Sequence, residues 1–188
     1  MARYRAGLQT RDRILDSTRW LLARAGLDGT TMAAILDRAK VRSGSFYNLF
    51  DSKNEAILTV VREAINAVDP HPDGVGQDTV EELVTAYVEF FIGQPTLARI
   101  YMQLAVGGAL NDEDVAGRVI HHHRDRLERF TDAIRRSRDT TPARAQLEAE
   151  LLLAGLNGLA LRWLLEPDFD MKRRAREILK RWKVSQPQ

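Results

Sequence analysis

Apolar residues return every three or four positions along almost the whole 188-residue chain, and no sustained two-residue alternation replaces that period. The spacing belongs to amphipathic helices, each with one face to bury. It predicts an all-α protein of about nine helices. The first is expected after Thr10 as cap, with Ile14, Leu15, Leu21 and Leu22 inward, ending at Gly26, since glycine readily takes the left-handed conformation of a helix stop. A second begins after Thr30 or Thr31 and buries Met32, Ile35, Leu36 and Ala39. The third, from about Ser43 to Phe50, is barely two turns long, too short to hold itself together in water. Its neighbours must brace it.

Further boundaries carry their own signals. Ser52-Lys53-Asn54-Glu55 is a capping box opening a fourth helix, and Asp69–Gly76 (DPHPDGVG) is a loop. Asp78 with Glu81 opens the next helix, Pro95 another, and a long one follows Gly107–Asp112 with Ala116, Val119, Ile120, His123, Leu127, Phe130 and Ile134 on one face. Thr141-Pro142 supplies a cap and a first-turn proline. A break near Glu166-Pro167-Asp168 precedes a last helix to about Lys183.

Charge separates the chain into two parts. Residues 1–53 carry ten Lys/Arg against five Asp, whereas the rest carries 18 against 21. A basic head on a mildly acidic body suggests an anionic partner for the head. The second and third helices with their tight turn fit a helix-turn-helix, whose second helix enters the major groove of duplex DNA. Ser43, Gly44 and Ser45 keep its leading end slim, Tyr47 and Asn48 offer hydrogen-bonding tips, and Phe46 and Phe50 face the core. Toward phosphate point the helix start at Thr30 and Thr31, the next at Ser52-Lys53, and Arg3 and Arg5 on an N-terminal arm.

Residues 10–58 resemble the DNA-binding head of the tetracycline-repressor (TetR) family of bacterial regulators. The resemblance runs through Ile14-Leu15, Leu21-Leu22, Gly26, Thr30-Thr31, Ile35, Ala39, Val41, Gly44, Phe46-Tyr47, Phe50, Ser52-Lys53 and Ile57. It implies a helix-turn-helix head over 1–53 and an effector-binding, dimerising body over 54–188. The family usually has glycine where Lys40 stands and a small capping hydroxyl where Arg42 stands. Lys40 in a left-handed turn would cost ~1 kcal/mol relative to glycine, offset by a phosphate contact. Arg42 either leaves the cap to Ser43 or leaves it empty and reaches the DNA backbone.

In the body, Leu151–Leu165 is apolar almost all round, so it must be covered on more than one side. Completion of one core and a shared dimer face both explain this. The dimer face would use Leu151, Ala154, Gly155, Gly158, Leu159, Trp163, Ile178 and Trp182. The resemblance likewise implies pairing through the last two long helices. It also implies a small-molecule pocket, with Tyr87, Phe91, Tyr101, Met102, His123 and Phe130 as inward candidates for an apolar or aromatic effector, although such stripes more often form core.

The expected function is a ligand-responsive repressor, acting as a homodimer on double-stranded DNA without cofactor or metal. The alternative is a helical enzyme or interaction module using the His121–His123 region, with a DNA head that has lost function. His121 with Asp125 lacks a third metal ligand, and no nucleophile arrangement accompanies His123. Absence of cysteine and of any ~20-residue apolar run fits a cytoplasmic protein without a membrane span. The basic last helix has too modest an apolar stripe for membrane binding.

Overall fold

The computed structural model describes residues 2–67, 76–111, 113–166 and 168–184, with side chains for 7–67, 76–105, 116–166 and 168–183. Within them run nine helices: α1 (Ala2–Gly29), α2 (Met32–Ala39), α3 (Ser43–Tyr47), α4 (Lys53–Asn66), α5 (Val80–Gly93), α6 (Pro95–Asn111), α7 (Glu113–Ser137), α8 (Pro142–Leu165) and α9 (Met171–Val184). Among the described residues there is no strand, and no helix is long and apolar enough to cross a membrane. The chain packs as two units, Met1–Ala64 with Gln94–Ala116, and Ile65–Gly93 with Gly117–Gln188. That partition follows packing; the division expected at 53/54 follows role.

In the first unit α1 packs against α2, α3 and α6. Ile14, Leu22, Ile35, Phe46, Ile57 and Val60 are fully buried. α1 begins at Ala2, eight residues before the expected cap, because nothing between Ala2 and Thr10 breaks a helix. Thr10 lies inside it, its hydroxyl accepting from the Arg13 side chain. The backbone at Arg3 and Arg5 is therefore helical and not an arm; their side chains lie outside the described residues. Gly26 does interrupt α1, with φ 66° and ψ −167°, a conformation only glycine takes without strain. Thr31 then caps α2, accepting from the Ala34 amide at 3.2 Å.

In the second unit α5 packs on α8 and α9, which pack on each other. Thr79, not Asp78, caps α5: its hydroxyl accepts from the Glu82 amide, and the Glu82 carboxylate accepts from the Thr79 amide at 2.9 Å. Asp78 is buried instead, its carboxylate gripped by Arg129 Nε and Nη2 at 3.0 and 2.8 Å, and its carbonyl accepts from Arg136 at 2.6 Å. Thr141 caps α8, as its sequence implies. α6 continues through to Asn111, since two glycines weaken a helix without ending it. Asp112, Pro167 and the expected loop from Asp69 to Val75 lie outside the described residues.

Candidate nucleic-acid interface

Local chemistry of the turn determines how the reading helix is presented. At the end of α2, Lys40 N–H donates to the Asp37 carbonyl at 3.2 Å and Val41 N–H to Leu36 at 3.1 Å, the paired bonds of a left-handed helix stop. Lys40 makes this stop with φ 55° and ψ 46°, among the described residues the sole non-glycine with positive φ. Its ammonium lies 3.1 Å from Asp37 Oδ1 on the surface. Arg42 then occupies the cap of α3 without any side-chain capping bond, so of the two expected arrangements the empty cap is the one adopted.

α3 is a five-residue helix, shorter than the expected span to Phe50, because Asn48 and Leu49 close it as turns. Phe46 is fully buried and Phe50 nearly so, with ring centroids 5.4 Å apart. Burying each stabilises the segment by roughly 1.5–3 kcal/mol, which supplies the bracing that a helix this short lacks. The opposite face is bare. Arg42, Ser43, Gly44, Ser45 and Asn48 are exposed, and Tyr47 is 54% exposed with its ring edge on Phe46. A Cβ added to Gly44 would meet nothing within 4 Å, so internal packing does not require glycine there. The result is a slim, polar, outward-facing ridge with a buried aromatic anchor, able to enter a groove and offer hydrogen bonds.

Groups that suit phosphate flank this ridge. Thr31 is exposed at the start of α2, where the first amides lack intrahelical acceptors. Thr30 is buried, and its hydroxyl donates to the Gly26 carbonyl at 2.7 Å, so its side chain serves the fold and is not presented outward. Ser52 Oγ accepts from the Glu55 amide at 3.1 Å, while the Glu55 carboxylate reaches the Asp51 amide, one residue before the partner its sequence suggests. Lys53 follows, half-buried, and among the described residues no acid pairs with it or with Arg42. One feature the sequence did not announce is Arg38, whose guanidinium stacks 3.6 Å from the centroid of the partly exposed Trp20 ring, with Arg24 at 5.0 Å. Neither residue carries a recognisable spacing; a tryptophan left at a helix surface is the only hint.

The body candidates separate. In the second unit Tyr87, Phe91 and Phe130 are buried; Tyr87 and Phe91 stack at 5.0 Å, and Trp163 meets Phe91 edge-on at 6.4 Å. Tyr87 donates to Asn157 at 2.7 Å, and Arg126 stands 5.4 Å above its ring. Tyr101 is buried and Met102 half-buried on α6, in the first unit. His123 is exposed, not inward: along α7 His122 is half-buried and the tightly buried face is Phe130, Ala133 and Ile134. Ile120 is exposed with it, because the face turns slightly from the one drawn through the apolar residues. His121 pairs with Asp125 at 3.4 Å on the surface, and among the described residues no group of three metal-ligating side chains occurs.

α8 has two apolar faces. Ala145, Ala149, Leu152, Leu153, Leu156 and Ala160 are buried in the chain. On the other side Leu147, Leu151, Ala154, Gly158, Leu161 and Leu165 are exposed, Leu151 by 65% and Leu165 by 73%. Leu151, Gly155, Ile178 and Trp182 line one cleft of about 450 Å³ with Arg138, Glu148, Leu152 and Arg181. Gly155 serves α9 of the same chain, since a Cβ there would meet Ile178 Cδ1 at 3.3 Å. Leu159 is half-buried, and so is Trp163, whose ring turns toward Phe91.

A buried-anchor reading helix on a tight turn, with open polar residues outward, defines a helix-turn-helix DNA-binding protein. Residues 14–58 match the pattern of the bacterial regulatory proteins of the tetR family, and residues 76–184 match that of the BetI-type transcriptional repressor C-terminal domain. The chain belongs to the TetR family and is a DNA-binding transcriptional regulator. Among relatives, an uncharacterized HTH-type transcriptional regulator in the lacX 3' region of Lactococcus lactis subsp. lactis is 37% identical over 62 residues, 33% of this chain and 32% of that protein. The chain thus matches about a third of that relative's length. Solved structures share the fold: SmeT, the repressor of the Stenotrophomonas maltophilia multidrug efflux pump SmeDEF, has a TM-score of 0.67 at 22% identity, covering 94% of this chain and 91% of that one. The multidrug binding protein EbrR, complexed with proflavin, has a TM-score of 0.62 at 22% identity, covering 92% and 99%.

Proposed function

We propose that this regulator represses transcription by binding a near-palindromic DNA site as a homodimer and that a small apolar or aromatic molecule releases it. The observation that carries the reading is the exposed run Arg42–Ser45 with Tyr47 and Asn48, a ridge left open among the described residues of its unit while Phe46 anchors it from behind. Ser43, Gly44, Ser45, Tyr47 and Asn48 approach base edges; Thr31, Lys40, Arg42 and Lys53 contact phosphates; Thr30 acts through the turn it stabilises. DNA contact is assigned to 1–53, and effector binding and dimerisation to 54–188.

The dimer reading draws on the exposed stripe from Leu147 to Leu165, an apolar row that water solvates poorly. A twofold pair would put two reading helices about one DNA turn apart, ~34 Å, and call for a palindromic site. Repression and release follow the BetI-type repressor match, the description of SmeT as a repressor, and that of EbrR as a multidrug binder holding proflavin. Within the second unit Tyr87, Phe91 and Phe130 are the aromatic groups around which such a ligand would bind; Tyr101 and Met102 belong to the first unit and His123 is exposed, so none of these three joins that set. The effector shifts the population between DNA-binding and released shapes by no more than its difference in affinity for the two.

Selection of bound sequences from a random duplex pool tests this directly. The expected product is a pool enriched in one inverted repeat, with affinity lost in Tyr47→Ala and Asn48→Ala. An unenriched pool, or an enriched one without twofold symmetry, contradicts the reading.

A further inference from the structure

The last helix carries charge that the operator reading does not use. α9 holds seven Lys/Arg and one acid, Glu177, whereas the rest of the body carries 11 Lys/Arg against 20 Asp/Glu. With about 100° between successive helical residues, Lys172, Arg173, Arg176, Lys180 and Lys183 fall in one sector roughly 100° wide, and Glu177 lies outside it. All five are exposed. Lys180 pairs with Glu177 at 3.1 Å and Lys183 with Glu81 at 2.7 Å, but among the described residues no acid comes within ion-pair distance of Lys172, Arg173 or Arg176, although Arg173 acts on Glu177 from farther off. Like charges at i,i+4, as in Lys172–Arg176–Lys180, oppose the helix by about 0.2–0.5 kcal/mol each. The surroundings are positive enough that the hydrogen bond and charge of Lys180, with Arg173 and Arg181, hold the Glu177 carboxyl below its ordinary range.

We propose that this stripe is a second, sequence-independent contact for the phosphate backbone of duplex DNA, separate from the reading helix. From Lys172 to Lys183 it runs about 16 Å at 1.5 Å per residue, the axial length of roughly five phosphates of one strand. An anionic bilayer is the competing polyanion, and the other side of α9 weighs against it. Met171, Ala175 and Leu179 are buried in the second unit. Among the described apolar side chains of α9 only Ile178 and Trp182 stay partly open, beside Leu151 of α8, too little apolar surface to sink the helix below the headgroups. Its attraction is electrostatic alone, and a duplex presents the denser, fixed row of charges.

Fluorescence anisotropy of the full chain on a labelled random-sequence duplex, from 25 to 300 mM KCl, tests the proposal. The set K172Q/R173Q/R176Q/K180Q/K183Q is expected to reduce the slope of log affinity against log salt by about 3–5, near 0.9 per phosphate contact. Combined with Tyr47→Ala and Lys53→Ala, the same set should remove the salt-dependent binding that those head substitutions leave behind. Arg176→Gln alone should lower the slope by about 0.9, more than Arg124→Gln or Arg135→Gln, exposed cations on α7. Circular dichroism checks that each variant stays helical. The proposal is overturned by an unchanged slope in the fivefold variant, by equal effects of the α7 controls, or by tighter stripe-dependent binding to phosphatidylglycerol vesicles than to duplex at equal salt. Site selection through Tyr47 can succeed or fail independently of these slopes.

Discussion

Replacing Lys40 tests stability and DNA contact at one position, with effects of opposite sign. The residue sits at φ 55°, ψ 46°, where an L side chain costs about 1–2 kcal/mol. Glycine avoids the clash but gives up roughly 0.5–1 kcal/mol more backbone entropy on folding. The Lys40–Asp37 pair is 75% and 83% exposed, and helical pairs of this kind contribute only about 0.2–0.5 kcal/mol. Lys40→Gly should therefore change stability by about −0.5 to +1.3 kcal/mol, centred slightly on the stabilising side, which is at most about 5 °C in Tm for a chain of this length. Toward DNA the change is a loss: if the ammonium leaves Asp37 for a phosphate, its removal weakens binding and lowers the salt slope by about 0.9. Lys40→Gln keeps the strained backbone and removes the charge, so it should reproduce the slope without the stability gain. Asp37→Asn removes the competing acid and should tighten binding. Thermal melts and anisotropy across KCl read all three. An unchanged slope in Lys40→Gln would falsify the phosphate contact and leave the left-handed lysine without compensation from DNA.

Gly44→Ala should leave the protein as stable as before or up to ~1 kcal/mol more so, because Ala suits a helix better and the added Cβ meets nothing. On DNA it should bind at least about tenfold more weakly, roughly 1.4 kcal/mol; equal affinity would mean that α3 does not approach the duplex closely. Leu151→Glu places a charge in the exposed apolar row of α8 and should convert a dimer to monomer in sedimentation at micromolar concentration, with little change in helicity. A dimer that persists would move the interface elsewhere. Asp78→Ala removes the carboxylate that Arg129 grips and leaves a carboxylate-sized void, where the Asp78 side chain is 1% exposed. Urea melts should show a loss of about 3 kcal/mol, the scale of breaking one side of a buried ion pair; a loss under 1 kcal/mol would show that solvent compensates.

Much of the fold was legible because its signals are local. Thr31, the Ser52–Glu55 pair, Thr141-Pro142 and Gly26 act on backbone groups within a few residues, so their roles do not depend on what packs nearby. The reading ridge was legible for the same reason: Phe46 and Phe50, four apart, must face one way, which turns Ser43, Gly44 and Tyr47 the other. Local signals also mislead when several residues can perform one task. Asp78 with Glu81 looks like a helix start, yet Arg129 from α7, 51 residues away, buries Asp78, and the neighbouring Thr79 caps α5.

By itself, then, the sequence determined the helical class, the tight turn and the composition of the ridge, since hydrogen-bond geometry and helical period are properties of short segments. Tertiary structure decided what depends on distant neighbours. It turned His123 outward on a helix whose three consecutive histidines leave the inward face ambiguous. It gave Gly155 to Ile178 of the same chain, and it left Leu147, Leu161 and Leu165 uncovered on α8. The physical reason is that burial is set by the surface a residue meets, and that surface is assembled from segments far apart along the chain.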